Sequence, residues 1–115
     1  MDKQFIEAVK LFNDGKYHEA HDVLEPLWAE TDEPKKQFYQ GIIQGFVALH
    51  LLQEKRFPGA YKVFLRSRAN LEKYKTNSYG VDVSQFLIEL KSIFTDPTYL
   101  NNLSEECYNI QIRRI

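Results

Sequence analysis

Residues 35–55, KKQFYQGIIQGFVALHLLQEK, constrain this chain more than any other stretch. On a helical wheel of about 100° per residue, Phe38, Ile42, Ile43, Phe46, Val47, Leu49, Leu51 and Leu52 leave almost no polar face. A helix that is apolar nearly all round has to be covered by protein on every side, so the stretch predicts a central helix surrounded by others. Gln40 and Gln44 interrupt it well short of the roughly 18 unbroken apolar residues of a membrane span. No membrane partner is expected. Gly41 and Gly45, four apart in QGIIQG, lower helix propensity but allow a neighbouring helix to approach closely.

The flanking segments supply the covering helices. Residues 2–13 place Phe5, Ala8, Val9 and Phe12 at helical spacing, and NDGK ends that helix with Gly15 as a left-handed cap. Residues 17–29 turn Tyr17, Ala20, His21, Leu24, Leu27 and Trp28 to one side, and TDEP breaks the chain after them. A fourth helix opens at Pro58 with Ala60, Val63, Phe64, Ser67, Leu71 and Tyr74 inward. After the loop TNSYG, Asp82 and Gln85 have capping-box spacing and open a fifth helix with Phe86, Leu87, Leu90, Ile93 and Phe94 inward, stopped by Pro97. The tail, 95–115, has a short helix start at SEE. It ends in YNIQIRRI, whose alternation predicts an extended segment laid on the bundle. The fold class is all-α, a compact bundle of five to six helices.

An internal echo refines this. A shift of 40 residues superposes GKYHEAHDVLE on KRFPGAYKVFL and aligns Tyr17 with Phe57, Ala20 with Ala60, Val23 with Val63 and Leu24 with Phe64. Each is the second helix of a hairpin. The spacing in AVKLFNDGKYHEA is that of tetratricopeptide helix pairs, although the offset exceeds that repeat's 34 residues. Two copies are too few for a solenoid, so the expectation is a bundle made of two tetratricopeptide-like hairpins.

Size and composition bound the function. With 115 residues, 43% hydrophobic and 27% charged, the chain is expected to form one globular domain, residues 1–115. The start, MDKQFIEAVKLF, has no apolar signal region. The single cysteine, Cys107, excludes an internal disulfide and CxxC metal motifs and fits a reducing compartment, hence the cytoplasm. Net charge is −1 but unevenly spread. Residues 1–34 hold nine acids against three lysines, whereas residues 55–75 hold Lys55, Arg56, Lys62, Arg66, Arg68, Lys73 and Lys75 against Glu72 alone. Mutual neutralisation within the fold is the expected use of these charges. Nucleic-acid binding through the basic helix 58–75, with Lys62, Arg66 and Arg68, ranks behind it because such domains are basic overall.

Three stretches carry a family resemblance: FNDGKYHEAHDVLEPLW, QGIIQGFVALH and GAYKVFLRSRANLEKY. Together, over about residues 5–75, they resemble the family catalogued as domain of unknown function 309, small all-helical bundles of bacteria, archaea and plastids. The most specific part is Phe12, Gly15, Tyr17, His21, Asp22, Glu25 and Trp28, with Asp22 standing where the family usually has glutamate and Pro26 atypical for the motif. The resemblance implies a central helix ringed by others, admits the plastid stroma as a location, and implies no established activity.

The motif residues define a candidate site. His21 and Glu25, four apart, share a helix face, with Trp28 one turn on. A carboxylate accepting from imidazole fixes the tautomer and raises its basicity, which suits a structural hydrogen bond or an acid/base pair alike. If the third helix turns that side toward them, Gln40 and Gln44 join the cluster. His50 points about 80° away from Gln40 and is the weaker partner. Pro26 leaves the carbonyl of Asp22 without a helical donor, which predicts a kink or a substitute partner there. As a metal site, His21 and Glu25 supply two ligands where catalytic zinc takes three, so His50 or His18 has to complete it. The expectation is a satisfied polar core network of His21, Glu25, Gln40 and Gln44, with a ligand or catalytic pocket second and a divalent-metal site third; no cofactor is otherwise predicted and Cys107 is expected to be inert.

Three function classes follow, in order. The first is a binding or scaffold module with a protein partner or a second copy. The second is a small hydrolase-like or metal-dependent enzyme using His21 and Glu25, with catalytic residues otherwise unassigned. The third is nucleic-acid binding.

Overall fold

The computed structural model describes residues 2–74, 78–95 and 110–114. Five helices follow in order: α1 (Lys3–Asn13), α2 (Tyr17–Glu30), α3 (Lys35–Gln53), α4 (Phe57–Leu71) and α5 (Val83–Thr95). The fold is an all-α bundle. Among the described residues, extended pairing is confined to isolated bridges of Ser78 with Val81 and Val81 with Arg114. The helix start expected at SEE, Cys107 and Pro97 lie outside the described residues.

Local chemistry sets the ends of the elements. Asp2 caps α1, its carboxylate accepting from the Gln4 N–H at 2.7 Å. At the other end Gly15 has φ 81°, its N–H donates to the Phe12 carbonyl, and the Lys16 N–H donates to the Leu11 carbonyl, each at 2.9 Å. This is the Schellman closure that glycine favours. The same closure ends α3: Lys55, at φ 62°, donates to Leu52 at 3.0 Å, and Arg56 donates to Leu51 at 2.9 Å. Lys55 therefore occupies the left-handed position itself, and α3 stops at Gln53 rather than at Lys55 as expected. Likewise α4 ends at Leu71, so Tyr74, expected on its inner stripe, lies beyond it with its ring 5.4 Å from Phe38. The helix α2 runs uninterrupted through Pro26, which is on the exposed side.

The core is aromatic. Phe12 of α1 stacks on Phe46 of α3 at 5.0 Å and meets Phe86 of α5 edge-on at 5.6 Å, while Phe5 meets Phe38 at 5.8 Å. Nine residues of α3 are buried, from Phe38 to Leu52, including both glycines. An added Cβ at Gly41 would stand 2.6 Å from Leu71 Cγ, and one at Gly45 would stand 2.7 Å from Phe86 Cζ. The glycines are thus where α4 and α5 come closest to α3. The buried Ser67 hydroxyl donates to the Gly41 carbonyl at 2.7 Å, which pins α4 in that register.

The start of α5 departs from the expected capping box in one half. Asp82 accepts from the Gln85 N–H at 3.0 Å, as the spacing predicts. The reciprocal bond is absent: the Asp82 N–H donates to the Arg113 carbonyl at 2.8 Å, and the Gln85 amide donates to Glu89 at 2.8 Å. The extended segment 110–114 supplies the partner. Its alternation works as expected, with Ile110 and Ile112 buried. The Asn13 side chain grips it, donating to the Ile112 carbonyl at 3.0 Å and accepting from the Ile112 N–H at 2.8 Å.

Candidate functional site: a polar groove and a histidine ridge between α2 and α3

One side of α2 presents His18, His21, Asp22 and Glu25, with His18 a turn before His21 and Asp22, and both of these a turn before Glu25. His21 is the hinge of the set. Its Nε2 lies 3.0 Å from Glu25 Oε2, and its Nδ1 lies 3.3 Å from Asp22 Oδ1. The other Asp22 oxygen lies 3.3 Å from His18 Nε2. From α3, the His50 ring packs on His18 with centroids 4.9 Å apart, and its Nε2 lies 3.4 Å from Glu54 Oε1. Three imidazoles and three carboxylates thus form one continuous ridge. His18, His21 and Asp22 each offer a ligand atom, and these atoms lie within 4.8 Å of one another, a weak cluster able to coordinate a metal ion.

Beside the ridge, His21, Glu25, Trp28, Gln40, Ile43 and Gln44 line a groove of about 190 Å³. The lining comes from two helices. The Trp28 indole N–H is enclosed and has no hydrogen-bond partner among the described residues, and Lys36 Nζ sits 4.7 Å from the centre of its ring. An enclosed unpaired donor is uncommon in folded proteins.

The enclosed network expected for His21, Glu25, Gln40 and Gln44 does not form. Glu25 is 54% exposed and His21 26%, so their pairing is a surface contact. Gln40 is exposed as well. Gln44 turns the other way: its Oε1 accepts from Asn70 Nδ2 at 2.7 Å, Asn70 Oδ1 accepts from Gln37 at 3.3 Å, and Lys73 donates to Gln37. The glutamine is held by α4 rather than by the histidine because Asn70 stands opposite it where α4 crosses α3. His50, one of the metal candidates with His21 and Glu25, is brought to His18 instead of to the groove. The pairing of His18 with Asp22 is not among the expected contacts, although His-x-x-x-Asp at helical spacing is a legible signal for it.

Elsewhere, Phe5, Lys35, Tyr39, Tyr79 and Gly80 line a second cavity of about 230 Å³. Burial raises the Tyr39 hydroxyl above its ordinary pKa, outweighing the hydrogen bond and positive charge of Lys35. On α4, Lys62 and Arg66 are exposed, whereas Arg68 folds back over the Phe64 ring at 5.7 Å, so the three do not form one basic patch. Nor does the expected neutralisation occur by pairing: among the described residues no α4 base makes an ion pair, and the pairs found are His18–Asp22, His21–Asp22, His21–Glu25, His50–Glu54 and Arg113–Glu89. The helix α4 packs on α3 and α5, away from the acidic faces of α1 and α2. No helix of the described residues is long and apolar enough to cross a membrane.

These features define a class, a small all-helical bundle with a polar groove and a histidine ridge where its second and third helices meet. Within it, the chain belongs to the family described as Domain of unknown function (DUF309), whose family model matches residues 5–63. The match takes in most of α1, all of α2 and α3 and the first turns of α4, and so every residue lining the groove. The chain is also 26% identical over 106 residues to an uncharacterized protein of Aquifex aeolicus (strain VF5), covering 91% of this chain and 32% of the relative. It spans about a third of the length of that relative.

Proposed function

We propose that the protein is a helical binding module whose α2–α3 groove holds a small ligand with one polar edge and one flat apolar face. The observation that carries this reading is the convergence of the motif residues His21, Glu25 and Trp28 with Gln40, Ile43 and Gln44 on one groove. The imidazole, carboxylate and amides offer donors and acceptors along one wall, while the indole and Ile43 offer apolar surface. The same side chains on a partner protein's loop meet these requirements equally well, which keeps a protein partner or a second copy within the reading.

The reading takes residues 1–115 as one domain built from two tetratricopeptide-like hairpins with α3 at the centre. It is supported by the identical closures at Gly15 and Lys55 and by the rings of α1 and α5 that meet α3. The single cysteine favours a cytoplasmic setting.

Trp28 is the sole tryptophan, so its emission reports on the groove directly. Titration with a library of small heteroaromatic amides and acids is expected to give hits that shift Trp28 emission and the amide resonances of Ile43 and Gln44. Hits that move only resonances remote from the groove, with Trp28 emission unchanged, overturn the reading.

The 3.0 Å contact of His21 with Glu25 favours a second reading, an acid/base pair activating water in a hydrolase. It ranks below binding because Glu25 is 54% exposed, so bulk water screens the pair instead of being excluded from it.

A further inference from the structure

We propose that His18, His21 and Asp22, with His50 as fourth ligand, bind one divalent transition-metal ion of the zinc type. The Asp22 carboxylate is approached by two imidazole nitrogens, His18 Nε2 and His21 Nδ1, each at 3.3 Å from one of its oxygens. Ligand atoms around a four-coordinate zinc, with bonds of about 2.0–2.1 Å, stand about 3.4 Å apart. The two contacts therefore already have the separation that a shared ion requires. Among His18, His21 and Asp22 the ligand atoms lie within 4.8 Å of one another, and rotation of side chains that are free to turn closes the remainder, since His18 and Asp22 are each 57% exposed.

The fourth ligand comes from α3. Two imidazoles on one tetrahedral ion have ring centroids about 5 Å apart, given the bond lengths above, and His18 and His50 stand 4.9 Å apart. Two outer contacts complete the arrangement. Glu25 takes Nε2 of His21 at 3.0 Å and Glu54 takes Nε2 of His50 at 3.4 Å, which leaves Nδ1 as the ligating atom on each ring. A carboxylate behind a ligating histidine fixes its tautomer and strengthens it as a donor. Glu25 thus acquires a positioning role. The donor set is nitrogen-rich with one carboxylate, which suits zinc, cobalt, nickel or copper and disfavours magnesium and calcium, whose sites are built from oxygens. The site shares His21 and Glu25 with the groove, whereas His18, Asp22 and His50 do not line it.

Isothermal titration of the untagged chain with Zn²⁺ at neutral pH tests this, with Mg²⁺ and Ca²⁺ as comparisons. One equivalent of Zn²⁺ is expected to bind, with no matching signal from Mg²⁺ or Ca²⁺. His18→Ala, His21→Ala and Asp22→Ala are each expected to weaken binding at least tenfold, His50→Ala several-fold and Glu25→Gln about tenfold. Unchanged affinity in His18→Ala or Asp22→Ala, or equal binding of Mg²⁺, overturns the proposal. In the wild type, long-range ¹H–¹⁵N spectra of the imidazoles give a readout that needs no variant: Zn²⁺ is expected to shift Nδ1 of His21 and Nε2 of His18, and ring resonances that do not move also overturn it. Fragment binding reported by Trp28 is read separately, so the groove and the metal site fail or stand on different signals.

Discussion

Replacing Gly41 by alanine sets two effects of opposite sign against each other, and the structure decides between them. In an exposed helix interior, glycine to alanine gains about 1 kcal/mol from propensity. At Gly41 the new methyl would stand 2.6 Å from Leu71 Cγ, 2.7 Å from Leu71 Cδ2 and 3.1 Å from Asn70 Cβ. Leu71 is fully buried, and the atom met is its branch point rather than a flexible end. Relief therefore needs α4 to move away from α3 by most of an ångström. Overpacking of this kind costs about 1–3 kcal/mol. The same movement stretches the 2.7 Å bond from the buried Ser67 hydroxyl to the Gly41 carbonyl, and a buried hydroxyl left unpaired costs about 1–3 kcal/mol more. Set against the propensity gain of about 1 kcal/mol, the two costs leave an expected net loss of about 1–5 kcal/mol. Urea unfolding followed by helix circular dichroism measures it. Leu71→Ala alone is expected to cost about 2–5 kcal/mol, and in the double variant the two losses should sum to less than their total because the clash is gone. A Gly41→Ala protein that is more stable than wild type by about 1 kcal/mol would refute the close α3–α4 contact, leaving propensity as the only effect at work.

Further outcomes follow from the joints and the charges. Lys55 holds a left-handed backbone that costs a side-chain-bearing residue about 1 kcal/mol, so Lys55→Gly is expected to stabilise by up to that amount in the same urea assay, and a loss would contradict the closure described. Burial pushes the Glu89 carboxyl up, but hydrogen bonds from Gln85, the Gln111 N–H and Arg113, with the Arg113 charge, outweigh it and hold its pKa below the ordinary value. Its contribution is therefore complete above the ordinary glutamate value of about 4.3 and lost as pH falls through the lower folded value. Hydrogen exchange at Gln111 and Ile112 should accelerate over that window in the wild type and show no such step in Glu89→Gln; identical profiles would be the contrary result. Because the His21–Glu25 contact is exposed, Glu25→Ala is expected to cost less than about 1 kcal/mol in a thermal melt, against the larger loss an enclosed network entails.

The helices, their caps and the pairing within α2 were legible because each depends on residues no more than four or five apart. Phe5, Ala8, Val9 and Phe12 announce α1 by spacing alone, Gly15 announces its end, and Asp82 with Gln85 announces the start of α5. The contact of His21 with Glu25 belongs to the same kind, since a helix brings i and i+4 together wherever it lies. Even the tail declared itself, because Ile110 and Ile112 alternate as a segment with one covered face must.

Only the tertiary structure decided what stands across from those faces. Gln44 could face His21 or Asn70, and the crossing of α4 over α3 assigns it to Asn70. His50 lies 32 residues beyond His18, and no local rule joins them; the packing of α2 on α3 does. The basic residues of α4 make no ion pair with the acids of α1 and α2 among the described residues, because α4 docks on α3 through Leu71 at Gly41 and Ser67 at the Gly41 carbonyl. The physical reason is common to all three. Periodicity tells which side of a helix is apolar, but the polar residues at the edge of that side are enclosed or exposed according to rotation of the neighbouring helix, and a change of about 100°, one residue's worth of phase, moves a side chain from core to solvent. That rotation is set by contacts such as Leu71 on Gly41 and Phe86 on Gly45, which join residues tens of positions apart.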